Sequence, residues 1–89
     1  MCPEKIQDAI ESLTREINEH EQEHGQDITY HRLCIRKWKL CIEHARLTED
    51  SWRFKRYFEP DYLRKISRAE ISIAVSYTHL RAHETLRHL

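Results

Sequence analysis

Glycine and proline are scarce in this chain, with one glycine and two prolines among 89 residues. Tight turns between β-strands depend on these residues, so their scarcity argues against an all-β fold. Charged residues make up 34% of the chain and hydrophobic residues 39%, a mixture typical of helices around a small apolar core. The composition therefore predicts an all-α fold, a small helical bundle in a single domain.

Long apolar runs are also absent. No stretch approaches the roughly 18 to 20 apolar residues of a membrane-spanning helix, and the N-terminus lacks the basic-then-apolar pattern of a signal peptide. The three cysteines are an odd number without a secretory context, so free thiols are expected. These features predict a cytoplasmic protein without a membrane partner.

The sequence has none of the common catalytic motifs. With one glycine it offers no Gly-rich phosphate loop, and neither GxSxG nor HExxH occurs. Cys41 and His44 are spaced so that a thiol and its base can touch on one helix, but a catalytic pair also needs a third orienting group and an oxyanion site. The sequence therefore favours a binding protein over an enzyme.

The formal net charge of zero conceals a strong asymmetry. Residues 1–27 carry eight acids and two bases, whereas residues 28–74 carry eleven bases and six acids. The two halves can pair within one molecule or between copies, or one half can meet a charged partner. The sequence leaves these alternatives open.

A helical hairpin is predicted for the first half of the chain. Pro3 suits the first position of a helix that runs to about residue 23 or 24, and Gly25 is a C-cap signal. Asp27 can N-cap a second helix over about residues 28–47, and the short linker makes the pair antiparallel. The apolar stripe of the first helix holds Ile6, Ala9, Ile10, Leu13 and Ile17.

The second helix is apolar on two sides. Trp38 lies within one broad arc, and a separate ridge repeats every seven residues at Leu33, Leu40 and Leu47. A helix with two apolar faces needs two packing partners, and the first helix supplies one. The other is either the following helices or a second copy, and we predict self-association through these four residues.

A third helix is predicted to start at Thr48. It is expected to end near Glu59, because Pro60 disfavours helix in the residue before it. Pro60 then opens a fourth helical segment. This segment is predicted to place Leu63, Ile66 and Ile73 on one side.

Four potential metal ligands are predicted to lie near the turn of the hairpin: His20, His24, His31 and Cys34. Both pairs have helical spacing, i, i+4 for the histidines of the first helix and i, i+3 for the pair on the second. Four N or S ligands from two helices suit a tetrahedral structural zinc site. The alternative is a set of polar residues at a fraying hairpin end, with the cysteine buried as cysteines commonly are.

Bases alternate with aromatic residues from position 52 to 58, and further bases follow. Such a surface can neutralise phosphates while the rings stack on nucleotide bases. The alternative is that the aromatics form the inner face of a short helix and the bases its solvated side. The candidate nucleic-acid contacts are Arg53, Lys55, Arg56, Arg64, Lys65 and Arg68.

Acidic residues of the first helix lie outside its apolar stripe. They can offer a negative ridge to a basic groove on a partner, in the place where a nucleic acid would lie. More often, such a run is a solvated face that keeps a small bundle soluble. The candidate partner-binding acids are Asp8, Glu11, Glu16, Glu19 and Glu23.

The run from Val75 to Thr85 differs in character from the rest. Its letters, VSYTHLRAHET, resemble residue for residue one translated frame of a transposase sequencing adapter. The resemblance implies a natural single domain over residues 1–74 and an adapter-encoded tail over residues 75–89. It also implies that the native C-terminus is not contained in the sequence.

In size and charge only, residues 1–74 resemble small phage or mobile-element proteins that inhibit bacterial defence, such as anti-CRISPR proteins. No shared motif carries the resemblance, so no functional residue follows from it. It implies a non-catalytic protein that docks on a host protein or complex in the cytoplasm of a bacterium. A nucleic-acid-binding regulator and a zinc-stapled hairpin are the alternative functions.

Overall fold

A computed structural model describes residues 2–87 of the chain, with side chains to Tyr77. It contains helices α1 (Pro3–His24), α2 (Ile28–Thr48), α3 (Ser51–Arg53) and α4 (Glu59–Arg87), and a π-helical turn (Phe54–Phe58) joins α3 to α4. No strand occurs within residues 2–87. The predicted all-α fold, a small bundle built on a helical hairpin, is confirmed.

The helical hairpin forms as predicted because its end signals are local. Pro3 is the first residue of α1, where a backbone N–H would have no helical acceptor. Gly25 ends α1 with φ of 75° and donates its N–H to the Glu21 carbonyl at 2.8 Å. The Asp27 carboxylate caps α2 by accepting the Tyr30 N–H at 2.9 Å.

The apolar stripe of α1 faces α2. Ile6, Leu13 and Ile17 are buried, and each such side chain contributes about 1.5 to 3 kcal/mol to folding. Ala9 is exposed, contrary to the predicted stripe. At 3.6 residues per turn it lies roughly 60° from the centre of the buried side chains, toward the side of α1 that is exposed.

Helix α2 lies between α1 and α4 and packs on both. Trp38 stacks on Tyr62 of α4, with ring centroids 6.0 Å apart and an interplanar angle of 30°. Ala45 is buried, and Leu33 and Leu40 are half-buried. The broad arc of α2 that holds Trp38 therefore packs on α4, the following helix.

The predicted start of the third helix is wrong by three residues. Thr48 is the last residue of α2, and its hydroxyl donates to the His44 carbonyl at 2.9 Å. The next helix begins at Ser51. Thr48 therefore satisfies a carbonyl of the preceding helix instead of capping a new one.

The predicted helix end before Pro60 is also wrong. An ordinary helix would bring the Pro60 ring against the carbonyl of Arg56 and would lack one hydrogen bond. Here the Glu59 N–H bonds to the Phe54 carbonyl five residues earlier, so the turn is wider and the chain remains helical. Helical backbone consequently continues from Ser51 to Arg87 with one π-helical turn.

The molecule is elongated, with extents of 57 × 27 × 18 Å. Its radius of gyration is 16.3 Å, whereas a compact chain of 89 residues would have about 12 Å. Because Trp38 lies opposite Tyr62 in antiparallel helices, Ile28 at the start of α2 lies opposite about residue 72. The later part of α4 therefore extends past the hairpin.

Removing residues 75–89 should preserve the fold, because α2 begins opposite about residue 72 and the chain from residue 75 follows that point. We expect a chain that ends at Ala74 to melt within about 5 °C of the full chain, a difference of roughly 1 kcal/mol or less, by circular dichroism. A chain that ends at Leu63 is the matched control, since it also loses the buried Ile66 and Ala69 and should not unfold cooperatively. Loss of cooperative melting in the Ala74 chain would show that the tail belongs to the core.

The Asp27 cap should make stability depend on pH. The Tyr30 N–H, and then the His20 side chain, hold the pKa of the Asp27 carboxyl below its usual range. Its stabilisation is therefore present above about pH 4 and is lost as pH falls through the lowered pKa.

We expect Asp27→Ala to melt below the wild type at pH 7, with a difference that shrinks under acid. Asp27→Asn is the control, because a neutral amide still caps a helix, and it should stay near the wild type at pH 7. An Asp27→Ala difference that is unchanged at low pH would contradict the role of the carboxylate. Thermal melts at several pH values measure both.

Candidate interaction surface

The π-helical turn sorts the aromatic side chains of the basic segment into inner and outer groups. Phe54 is buried and Phe58 is half-buried, at the two ends of the turn. A turn of more than four residues brings these ends to one side. The three residues between them, Lys55, Arg56 and Tyr57, are exposed.

Trp52 and Tyr57 form an aromatic pair on the surface. Their side chains are 62% and 56% exposed, and their rings meet edge to face with centroids 6.4 Å apart. The Arg56 guanidinium lies 5.7 Å from the centre of the Tyr57 ring, within range of a cation–π contact. Together with the exposed Arg53 and Lys55, these residues are called the basic aromatic patch.

The patch has a buried support. Phe54 is 4% exposed, and the Arg46 guanidinium of α2 lies 5.6 Å from the centre of its ring. The sequence is compatible with these aromatic side chains lying in the core or at the surface. In the structure, Phe54 and Phe58 lie toward the core, and Trp52 and Tyr57 lie at the surface. In the sequence, the indication of this division is Pro60, because the turn that precedes it is wider than an ordinary helical turn. The sequence prediction instead places a helix end there.

The remaining candidate nucleic-acid contacts lie on α4. Arg64 and Arg68 are exposed. Lys65 is half-buried, with its Nζ 4.7 Å from the centre of the Trp38 ring and 3.4 Å from the Asp61 carboxylate. Lys65 is thus engaged in the contact between α2 and α4, whereas the other candidate bases face solvent.

The acidic residues of α1 form an exposed face. Only Glu23 among them has an ion-pair contact within residues 2–77, with His24 Nε2 at 3.7 Å. Every ion pair in this part of the chain joins residues close in sequence, so none links α1 to the basic aromatic patch. The exposed acids of this face are Asp8, Glu11, Glu16, Glu19 and Glu23.

The surface predicted for self-association is largely occupied within the chain. Trp38 is covered by Tyr62 and by the Lys37 and Lys65 side chains. In the leucine ridge, Leu33 and Leu40 are half-buried and Leu47 is 51% exposed. The ridge therefore offers little continuous apolar surface to a second copy.

The four predicted zinc ligands are not gathered into one site. His20 Nε2 lies 2.8 Å from the Asp27 carboxylate, and the His24 ring lies 4.8 Å from that of His20. The His31 ring packs edge-on against Tyr30. Burial raises the pKa of the Cys34 thiol. Within the described residues, no three His, Cys, Asp or Glu side chains are arranged to hold a metal ion.

Cys41 and His44 line a small groove between α1, α2 and α4. The groove has a volume of about 170 Å³, and Ile10, Phe58 and Tyr62 also line it. Burial raises the pKa of the Cys41 thiol. A raised pKa favours the protonated thiol, which is a poorer nucleophile than the thiolate.

None of the helices, over the residues that the structure describes, is long and apolar enough to cross a membrane. Comparison of the chain with protein-family models, with curated proteins and with solved structures finds no match. Function is therefore inferred from the geometry and charge of the basic aromatic patch and the acidic face of α1.

Proposed function

We propose that the chain is a non-catalytic interaction module that docks on a protein partner through the basic aromatic patch. The observation that carries this proposal is the exposed Trp52–Tyr57 pair, which lies among three exposed bases on one helical turn. The few residues that dominate binding energy in protein interfaces are enriched in tryptophan, tyrosine and arginine. A partner surface with carboxylates around an apolar pocket would complement this patch.

The contacts that hold the basic aromatic patch in place also favour docking on a protein partner. Trp52 and Tyr57 contact each other, and the turn that carries them is anchored by the buried Phe54. Side chains that are already ordered lose less entropy on binding. The patch is therefore preorganised for docking before a partner binds.

In this proposal the partner is a bacterial host protein or complex in the cytoplasm. Small phage and mobile-element inhibitors, which the chain resembles in size and charge, act by docking of this kind. The resemblance supports the class of activity and identifies no partner. The charge and apolar area of the patch define the surface that a partner must present.

Nucleic-acid binding is the second candidate, and the same exposed rings favour it. Aromatic rings stack on unpaired bases, and the exposed Arg64 and Arg68 extend the positive surface along α4. The acidic face of α1 opposes it, because its carboxylates repel the same polyanion. Protein docking therefore ranks first.

Replacing Trp52 and Tyr57 by alanine should abolish partner capture. We expect the immobilised wild type to retain specific proteins from a nuclease-treated bacterial extract, and the double variant to lose them. For a purified partner, removal of two central aromatic contacts should weaken binding by about 30-fold or more. The matched control is Arg36→Ala with Lys39→Ala on the exposed side of α2, which should bind like the wild type.

Both aromatic side chains are more than half exposed, so the double variant should keep its helical circular dichroism. Capture that is equal for the wild type and the folded double variant would contradict docking through the patch.

Direct tests with nucleic acid separate the two candidates. We expect no complex tighter than about micromolar with single- or double-stranded DNA or RNA at physiological salt, by fluorescence anisotropy. A submicromolar complex that weakens steeply with salt and is lost in Arg53→Glu with Arg64→Glu would put nucleic-acid binding first.

A further inference from the structure

The chain carries two surfaces of opposite charge that do not meet within the molecule. Helix α1 holds seven acids and two bases, and residues 52–68 hold six bases and two acids. The sequence allowed these halves to neutralise each other internally. No ion pair does so within the described residues, because each one is local to a helix or to the hairpin turn.

The fold explains why the two surfaces stay apart. Helix α2 lies between α1 and α4, and the buried side chains of both outer helices face inward. The acids Asp8, Glu11, Glu16, Glu19 and Glu23 of α1 and the bases Arg53, Lys55 and Arg56 all remain exposed. Each charged surface is therefore available to another molecule.

The acidic face of α1 also has a shape that suits the patch. Ala9 and Ser12 are exposed and one helical turn apart, and Asp8, Glu16 and Glu19 are exposed around them. Small side chains leave room for an aromatic ring against the helix. Carboxylates beside that ring can accept paired hydrogen bonds from arginine.

We infer that the basic aromatic patch of one copy docks on the acidic face of α1 in a second copy. This inference rests on the docking role proposed above for the patch, and it assigns an acidic helix face as the ligand. The two contacting surfaces differ, so the contact is heterologous and copies join head to tail. It replaces the leucine ridge as the surface for self-association.

Salt should control this association, since exposed charges interact over a Debye length of about 30 Å at 0.01 M and 3 Å at 1 M. The purified full chain should show a mass above the 10.9 kDa monomer at low salt and high micromolar concentration. The mass should return to the monomer in about 1 M salt. Sedimentation equilibrium measures both states.

Two charge-reversal variants test the surfaces separately. Arg53→Glu with Arg56→Glu reverses the patch, and Glu16→Lys with Glu19→Lys reverses the acidic face. Each variant alone should be monomeric at low salt. A mixture of the two should associate again, because the intact acidic face of the first meets the intact patch of the second, and the two reversed surfaces also attract.

The control is Arg36→Glu with Lys39→Glu on the exposed side of α2, which changes the net charge as the patch variant does. It should associate like the wild type. Dissociation equal to that of the patch variant would attribute the effect to net charge and overturn the inference. Circular dichroism confirms that all variants are folded.

Three further results would overturn the inference. They are a wild type that stays at monomer mass at low salt, a mixture that fails to associate, and association that survives both charge reversals but is lost in Leu40→Glu. These measurements use only the purified chain. A negative result would therefore remove self-association and leave docking on a different protein to be decided by the capture experiment.

Discussion

The missing backbone N–H of Pro60 determines where the aromatic side chains of the chain point. Because an ordinary helical turn cannot pass through this residue without a clash, the chain widens to the bond between Glu59 and Phe54. The wide turn sends Phe54 inward and leaves Tyr57 outside with two bases. The core contact with Arg46 and the surface patch are thus two results of one local constraint.

The position of α2 between α1 and α4 likewise affects how the charged residues are distributed over the molecule. A helix that is apolar on two sides draws one neighbour to each side, and the neighbours here are α1 and α4. The exposed acids lie on α1 and the exposed bases of the patch lie just before α4, and within residues 2–77 no ion pair joins the two groups. Apolar packing on α2 therefore holds the two charged groups on separate helices.

The hairpin could be predicted from sequence because its determinants are local. Pro3, Gly25 and Asp27 act on backbone groups within a few residues, and the structure has them in those roles. The exposure of Ala9 was missed, because a stripe read at helical spacing does not show how far the neighbouring helix reaches. The conformational preference of the residue before proline predicts a helix end at Pro60. It does not reveal that a wider turn can accommodate the proline within a continuing helix.

The candidate surface was only partly predictable for related reasons. The bases and acids could be named from the sequence, since charged side chains nearly always remain at the surface. Which of Trp52, Phe54, Tyr57 and Phe58 is exposed depends on the width of one turn and on contact with α2. Likewise, the partner of Trp38 became known only from the packing of α4.

Because the molecule is thin, its thermal stability should respond strongly to the binding of a partner. Its buried side chains, within the part that the structure describes, are few, and two of them are alanines: Ile6, Leu13, Ile17, Ala45, Phe54, Ile66 and Ala69. So small a core provides a stability toward the lower end of the usual range of about 5 to 15 kcal/mol. A ligand that binds only the folded chain, at a hundred times its dissociation constant, adds about 2.7 kcal/mol by mass action. Such an increment is a large fraction of the total, so the chain's own thermal unfolding is a sensitive detector of whatever it binds.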